Sequence, residues 1–340
     1  MRTFYSILIL VTIATSISAQ DMVVLNNGDK ILGDFKSLDN GVLEIEPDYS
    51  EANFLIDWES VVELKTKDMY IVHLASGDKL NGRIDFKNGI ISIVTEDSTM
   101  TEYPYLDIVY LKSVSSGFWD RMSISLDGGY TFSKASNNEQ FTLRGNAAYM
   151  TTRINPDIYF NLVTSSIDDD AGVPVETDRH NWGANFRYFF TGSWFGALGA
   201  DYLISDEQQL DLRSTYTLAL GYYPIRNSKM YLSSAAGVAQ NEETYDDELT
   251  EDGSSTEAFA SLNFNAFGLK DFSITSSIQY FPSLTESGRH RVNYGIDFKF
   301  DLPRDFYIGA GYTLNYDSTP AVEGTSTTDY VFQTTIGWSL

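Results

Sequence analysis

Three histidines, His73, His180 and His290, are the side chains of this chain whose ordinary titration lies near neutrality, and there is no cysteine. The lack of cysteine removes thiolate nucleophiles, disulfides and zinc–thiolate sites. A serine hydrolase working on a strand needs Ser and His two positions apart on one face. Neither His180-Asn181-Trp182 nor His290-Arg291-Val292 supplies that spacing. Asp178 beside His180 is the nearest approach to a water-activating Asp–His pair, and a histidine at a loop–strand junction is most simply a solvated one. Runs of carboxylates at Asp168-Asp169-Asp170 and from Glu242-Glu243 through Asp246-Asp247-Glu248 to Glu251-Asp252 have the oxygen chemistry that Ca²⁺ and Mg²⁺ require. They lack a fixed turn geometry and read first as solvated loops. No Gly-rich phosphate loop, HExxH or EF-hand spacing occurs. The expectation is a protein without catalytic, cofactor-binding or metal-ligating residues.

The elements that carry these residues are strands. From Arg121 onward, stretches of about eleven residues, apolar at every second position, recur up to the last residue. In the last stretch Tyr330, Phe332, Ile336, Trp338 and Leu340 share one parity, and Asp329, Gln333, Thr335 and Ser339 the other. Alternation of this length places one strand face in an apolar medium. Soluble strands average five or six residues, whereas a tilted strand needs about 9–11 to cross a bilayer.

A coarse division gives twelve strands, at 121–132, 140–151, 157–166, 179–190, 194–204, 210–222, 229–240, 256–266, 272–281, 289–300, 306–316 and 328–340. Short connections (Thr191-Gly192-Ser193, Tyr223 to Ser228) alternate with longer ones (Ile167 to Asp178, Asn241 to Ser255), as outer loops and periplasmic turns do in membrane barrels. Aromatics gather at the short-turn ends: Tyr149, Tyr159, Phe189, Phe190, Trp194, Phe195, Tyr222, Phe272, Phe300, Phe306 and Trp338. These would form an interfacial girdle. The competing fold, a soluble β-sandwich, has strands of half this length.

The first nineteen residues read as a cleaved secretory signal: Arg2, an apolar run from Tyr5 to Ile13, and the small residues Ser16-Ile17-Ser18-Ala19. Residues 20–116 form a separate unit that repeats itself. Leu25-Asn26-Asn27-Gly28-Asp29-Lys30-Ile31-Leu32-Gly33 matches Leu74-Ala75-Ser76-Gly77-Asp78-Lys79-Leu80-Asn81-Gly82. Asn40-Gly41-Val42-Leu43-Glu44-Ile45 matches Asn88-Gly89-Ile90-Ile91-Ser92-Ile93, and Val61 to Lys65 matches Ile108 to Lys112. Each copy predicts short strands joined by Gly-Asp and Asn-Gly turns, a small five-stranded barrel or half-barrel similar to the SH3-like and Sm-like classes. Such folds can bind nucleic acid, but this unit carries 18 acidic against 8 basic residues between Asp21 and Lys112, and the whole chain −24. Phosphate recognition needs the opposite sign. The unit reads as a periplasmic spacer or docking module.

Assigning the apolar parity of 117–340 to lipid turns fifteen charges inward: Arg121, Asp127, Arg144, Asp157, Arg179, Arg187, Asp201, Asp211, Arg213, Glu257, Arg289, Arg291, Asp297, Lys299 and Asp329. Eight positive against seven negative is a balanced interior. Either the charges pair across neighbouring strands and fill a narrow barrel, or they line a pore for small solutes; a barrel of this strand number allows both.

Two resemblances accompany these patterns. Thr334-Thr335-Ile336-Gly337-Trp338-Ser339-Leu340 looks like the carboxy-terminal signal of outer-membrane barrels, with Gly337, Trp338 and Leu340 in the signal positions and Leu340 in place of the usual terminal Phe. It implies recognition by the barrel-assembly machinery. The segment from Phe118 to Leu340 resembles the salt-induced outer-membrane protein family of Gram-negative bacteria, through Trp119 with Ser123-Ile124-Ser125-Leu126-Asp127-Gly128-Gly129-Tyr130, Gly221-Tyr222-Tyr223 and the closing strand. That likeness implies an outer-membrane barrel of about twelve strands, in contact with lipid and lipopolysaccharide, whose activity is open. Divalent cations at the acidic loops could then bridge to lipopolysaccharide phosphates.

Overall fold

The computed structural model describes residues 20–340 apart from 40, 51, 114–117, 119–120, 134–137, 152, 169–172, 247–249, 268–270, 304–305, 323–324 and 340. The signal segment and Leu340 therefore lie outside the described residues.

The duplication builds one object rather than two. The first copy contributes β1 (Asp21–Leu25), β2 (Lys30–Asp39), β3 (Val42–Pro47), β4 (Phe54–Asp57) and β5 (Val61–Lys65). The second contributes β6 (Tyr70–Leu74), β7 (Lys79–Lys87), β8 (Ile90–Val94), β9 (Met100–Pro104) and β10 (Ile108–Ser113). Each fifth strand crosses to the other copy: Leu64 of β5 pairs Phe86 of β7, and Leu111 of β10 pairs Leu38 of β2. The pairings β1–β5–β7–β6–β10–β2–β1 close a six-stranded ring, from which β3–β4 and β8–β9 extend as equivalent flanges. The alternating residues Phe35, Leu38, Leu43, Ile45, Leu64, Ile84, Phe86, Ile91, Ile93 and Leu111 fill one shared core with Trp58. A core fed equally by both copies explains why half the unit would be too small to stand alone. Asp21 is buried in it and accepts hydrogen bonds from Phe35 N (3.0 Å), Lys67 N (2.7 Å) and the Tyr70 hydroxyl (3.0 Å).

Residues from Met122 onward close a second, larger barrel of twelve antiparallel strands, each paired with its sequence neighbour. They are β11 (Met122–Ser133), β12 (Asn138–Tyr149), β13 (Ile154–Asp168), β14 (Pro174–Thr191), β15 (Trp194–Ser205), β16 (Leu210–Arg226), β17 (Met230–Tyr245), β18 (Gly253–Ala266), β19 (Phe272–Pro282), β20 (His290–Asp301), β21 (Phe306–Asp317) and β22 (Thr328–Ser339). The apolar parity faces out: Leu126, Ile158, Leu198, Leu218, Leu262, Ile308, Phe332 and Ile336 are all exposed. A continuous apolar belt around a closed barrel is far beyond what a water-soluble surface carries, and it suits hydrocarbon.

Two features depart from the sequence reading. Strands β13, β14, β16, β17 and β18 run further than predicted, because backbone pairing such as Glu243↔Gly253 and Ser166↔Glu176 continues where side-chain alternation has faded. Three girdle aromatics point inward instead: Tyr159, which bonds the Asp201 carboxylate, and the buried Phe189 and Phe195.

The small unit sits against the short-turn end of the large barrel. Gly77, at φ +90°, packs so closely on the Gly192 backbone that a Cβ would collide with it, and Gly41 meets the Ser228 carbonyl in the same way. Glu59 pairs with Lys229 beside them.

Candidate functional site

Chemistry-bearing side chains collect in the interior of the large barrel, and three tiers can be followed from the long-loop end. In the first, β16, β17, β21 and the residue preceding β20 each send one charge inward. Arg213 Nε lies 2.6 Å from Glu243 Oε1, and Arg289 Nη2 lies 2.9 Å from Glu243 Oε2 and 2.6 Å from Asp317 Oδ2. Arg213 Nη2 closes the square on Asp317 at 3.3 Å. Two guanidinium groups and two carboxylates alternate, and the Tyr245 hydroxyl donates to Glu243 at 2.5 Å. The connection after β15 folds inward, so that Gln208 accepts from Arg213 Nη1 at 3.3 Å. The space left among Gln208, Arg213, Tyr245, Arg289, Asp317 and Pro320 is about 10 Å³, room for about one water.

Beneath the square, Arg291 grips Glu257 bidentately at 2.9 and 2.6 Å and lies 5.0 Å over the Phe281 ring. Arg291 is 2% exposed and Glu257 0%. Beside them Arg179 on β14 reaches Asp329 on β22 (2.8 Å) and Asn315 on β21, and Ser205 donates to Asp329 at 3.1 Å. The third tier centres on Arg144 of β12. It bonds Asp127 at 2.7 Å and Asp297 of β20, while Tyr307 donates to Asp127 at 2.8 Å. Asp157 holds Arg187 (3.5 Å) and accepts from Asn185 (2.9 Å); Lys299 holds Asp301 (3.0 Å) over the Tyr307 ring.

The decisive geometry is the span of these contacts. Counting around the ring, Arg179 and Asp329 stand four strands apart, Arg144 and Asp297 four, and Arg213 and Asp317 five. Partners so separated meet only by reaching through the middle. Pairs across neighbouring strands are present as expected, in Arg213–Glu243, Arg144–Asp127 and Arg187–Asp157, and the chords add bonds that cross the lumen.

Of the inward candidates, Asp127, Arg144, Asp157, Arg179, Arg187, Asp201, Arg213, Glu257, Arg289, Arg291, Asp297, Lys299 and Asp329 take part in these tiers. Asp211 does not: it is the extra residue of a bulge between Leu210 and Leu212 and is exposed, since a bulge resets strand parity. Arg121 is half-buried just before β11, its carbonyl accepting from Met150 N. Gly337 faces in, where a Cβ would strike the Tyr307 ring, and Trp338 faces out opposite Leu126. Glu243 corrects the acidic-loop reading. It lies within β17, buried, with both oxygens spent on arginines, whereas Glu242 is exposed. Glu243 and Asp317 were missed as interior residues, although parity continued past the predicted strand ends would have found both. His180 lies 3.8 Å from Asp178 on the outer rim, and His290 is exposed, its backbone N–H bonded to Ser318.

A closed antiparallel barrel of twelve strands, apolar outside and charged within, is the architecture of the outer-membrane β-barrels. Residues 120–340 match the family described as "Protein of unknown function, DUF481", and the chain belongs to that family. No curated protein matches it. Among solved structures, the translocator domain of autotransporter NalP from Neisseria meningitidis is similar at 11% identity and TM-score 0.36, covering 64% of this chain and 86% of that one. The NanC porin is similar at 8% identity and TM-score 0.37, covering 64% and 97%. The KdgM porin in complex with disordered oligogalacturonate is similar at 9% identity and TM-score 0.32, covering 64% and 99%.

Proposed function

We propose that this protein is a non-enzymatic, structural barrel of the Gram-negative outer membrane whose lumen is held shut, with the duplicated unit in the periplasm. The chords carry this reading. Arg213–Glu243–Arg289–Asp317, Arg291–Glu257 and Arg179–Asp329 occupy the cross-section that a solute would need, and all eight of these residues are buried. The outward face then meets lipid, the loop end meets lipopolysaccharide, and β22 presents itself to the barrel-assembly machinery. The stress-related side of the proposal follows from dryness. Exposed ion pairs weaken as salt rises, but buried ones are little screened, so a lumen closed by these chords stays closed at high salt.

Single-channel recording in planar bilayers tests the proposal. The intact protein is expected to give no steady conductance step at 0.1 M KCl and none at about 1 M, where the Debye length falls to about 3 Å. A stable ohmic step under either condition would overturn the closed-lumen reading in favour of a dedicated solute channel.

A further inference from the structure

At the short-turn mouth the electrostatics reverse. Above the ring of inward aromatics, Lys79 of the small unit extends into the mouth until its Nζ lies 4.6 Å over the Phe189 ring. Arg226, the last residue of β16, stacks on the same ring at 5.8 Å and on Tyr223 at 5.4 Å. Its Nη2 stands 3.5 Å from Nδ1 of His73, which is 2% exposed and packed on Tyr110. Arg153 adds a further positive charge that Lys79 feels.

Three observations make this more than a basic patch. Among the described residues no carboxylate forms an ion pair with Lys79 or Arg226, although Arg213, Arg289, Arg291, Arg179 and Arg144 inside the barrel each hold one. Two buried donors at the spot, His73 Nε2 and Arg226 Nη1, have no hydrogen-bond partner, a rare condition in folded proteins. Lys79 is pulled down to about 8, by burial first and then by Arg226 and Arg153, and burial with the charges of Lys79 and Arg226 holds His73 well below its ordinary value. The facing acid is Asp39, whose charge reaches the Tyr110 hydroxyl.

We propose that the junction between the two units is an oxyanion site, taking a small phosphate-class anion between Lys79, Arg226 and His73. Such an anion accepts from the two orphaned donors, and the ammonium and guanidinium flank it as point charge and planar fork. The aromatic floor of Phe189 and Tyr223 excludes water beneath it. A bound anion would also join the two units, since Lys79 and His73 belong to one and Arg226 to the other.

The test uses the full-length protein in a phosphate-free, non-ionic detergent, titrated with inorganic phosphate. Binding is read by calorimetry and by the imidazole NMR signals. Saturable binding is expected, with the His73 titration moving upward while those of His180 and His290 stay in place. Lys79→Gln and Arg226→Gln should each weaken binding about tenfold, the effect of one charged hydrogen bond. Lys229→Gln, which alters a neighbouring lysine paired with Glu59, should leave it unchanged. Should either glutamine variant fail to show the folded barrel's gel mobility, the His73 signal in the unaltered protein decides alone. A response seen with phosphatidylglycerol bicelles and not with free phosphate identifies a lipid headgroup as the source and supports the same chemistry. No saturable change at His73 with either anion, or equal weakening by Lys229→Gln, overturns the site.

Discussion

Consider the Arg291–Glu257 pair as a test of whether the lumen is dry. Both residues are buried, both guanidinium–carboxylate bonds are under 3 Å, and the ring of Phe281 covers the arginine. Glu257→Ala leaves a guanidinium with no counter-charge and no access to water, which costs about 3–5 kcal/mol, and Arg291→Met leaves the carboxylate in the same position. The double variant Glu257→Leu with Arg291→Met removes both charges together and should lie within about 1–2 kcal/mol of the parent, because replacing a buried pair by apolar groups is close to neutral. The coupling energy from such a cycle, with matched single variants, is therefore expected to exceed about 3 kcal/mol. The same pair in a water-filled pore would give about 0–1 kcal/mol, the range for exposed pairs. Urea titration of the barrel refolded in lipid vesicles, followed by tryptophan fluorescence and heat-modifiable gel mobility, measures each corner. A coupling below about 1 kcal/mol would show that water reaches the pair, and the closed-lumen argument would fall with it.

Strand parity predicts that Ile296→Arg, on the outward face of β20, destabilises the barrel by roughly 2–4 kcal/mol, whereas the polar swap Asn293→Ser, inward on the same strand, costs less; equal refolding yields in vesicles would contradict the register. Gly28 and Gly77 occupy the same turn in the two repeats at φ +91° and +90°, but only Gly77 touches the large barrel. Gly28→Ala should cost about 1–2 kcal/mol of left-handed strain, and Gly77→Ala that amount plus undocking, visible as new protease cleavage between the units. His73 has a lowered value in the folded protein, so the unfolded state binds the extra proton. Stability should be flat above about pH 7.5 and fall as pH drops through about 6.5, by at most about 1.4 kcal/mol per pH unit. Urea midpoints at pH 8 and 5.5 in phosphate-free buffer check this, and His73→Gln should flatten the profile.

The twelve strands were legible because one parity stays apolar along most of each strand and faces outward, as Leu198, Leu218 and Ile336 do. The rims were not legible, since lipid no longer sorts the side chains there and only backbone pairing continues. Glu243 looked like part of an acidic loop for that reason, although it is the anchor of the outer square. Which charge meets which was hidden for a different cause. Arg179 and Asp329 are 150 residues apart, and no local spacing encodes a chord across a barrel. In the small unit the repeat itself was plain, but the exchange of β5 and β10 between copies was not.

The seam has a consequence for how such a barrel can be assembled. Among the described residues strands β11 and β22 are joined through four residue pairs, Ser125↔Ser339 to Gly128↔Ile336, whereas β13 and β14 share fifteen. An open twelve-stranded sheet leaves Arg144 with Asp127 alone and Arg179 without its carboxylate, because Asp297, Thr335, Asn315 and Asp329 arrive only when the ends meet. The thin seam is thus reinforced from inside by bonds that a curved but unclosed sheet cannot make. Assembly behaves like a clasp: little holds the two edge strands until they touch, and then Arg144 and Arg179 fasten behind them. A sheet arrested one strand short would carry Arg179 on its concave side without its carboxylate.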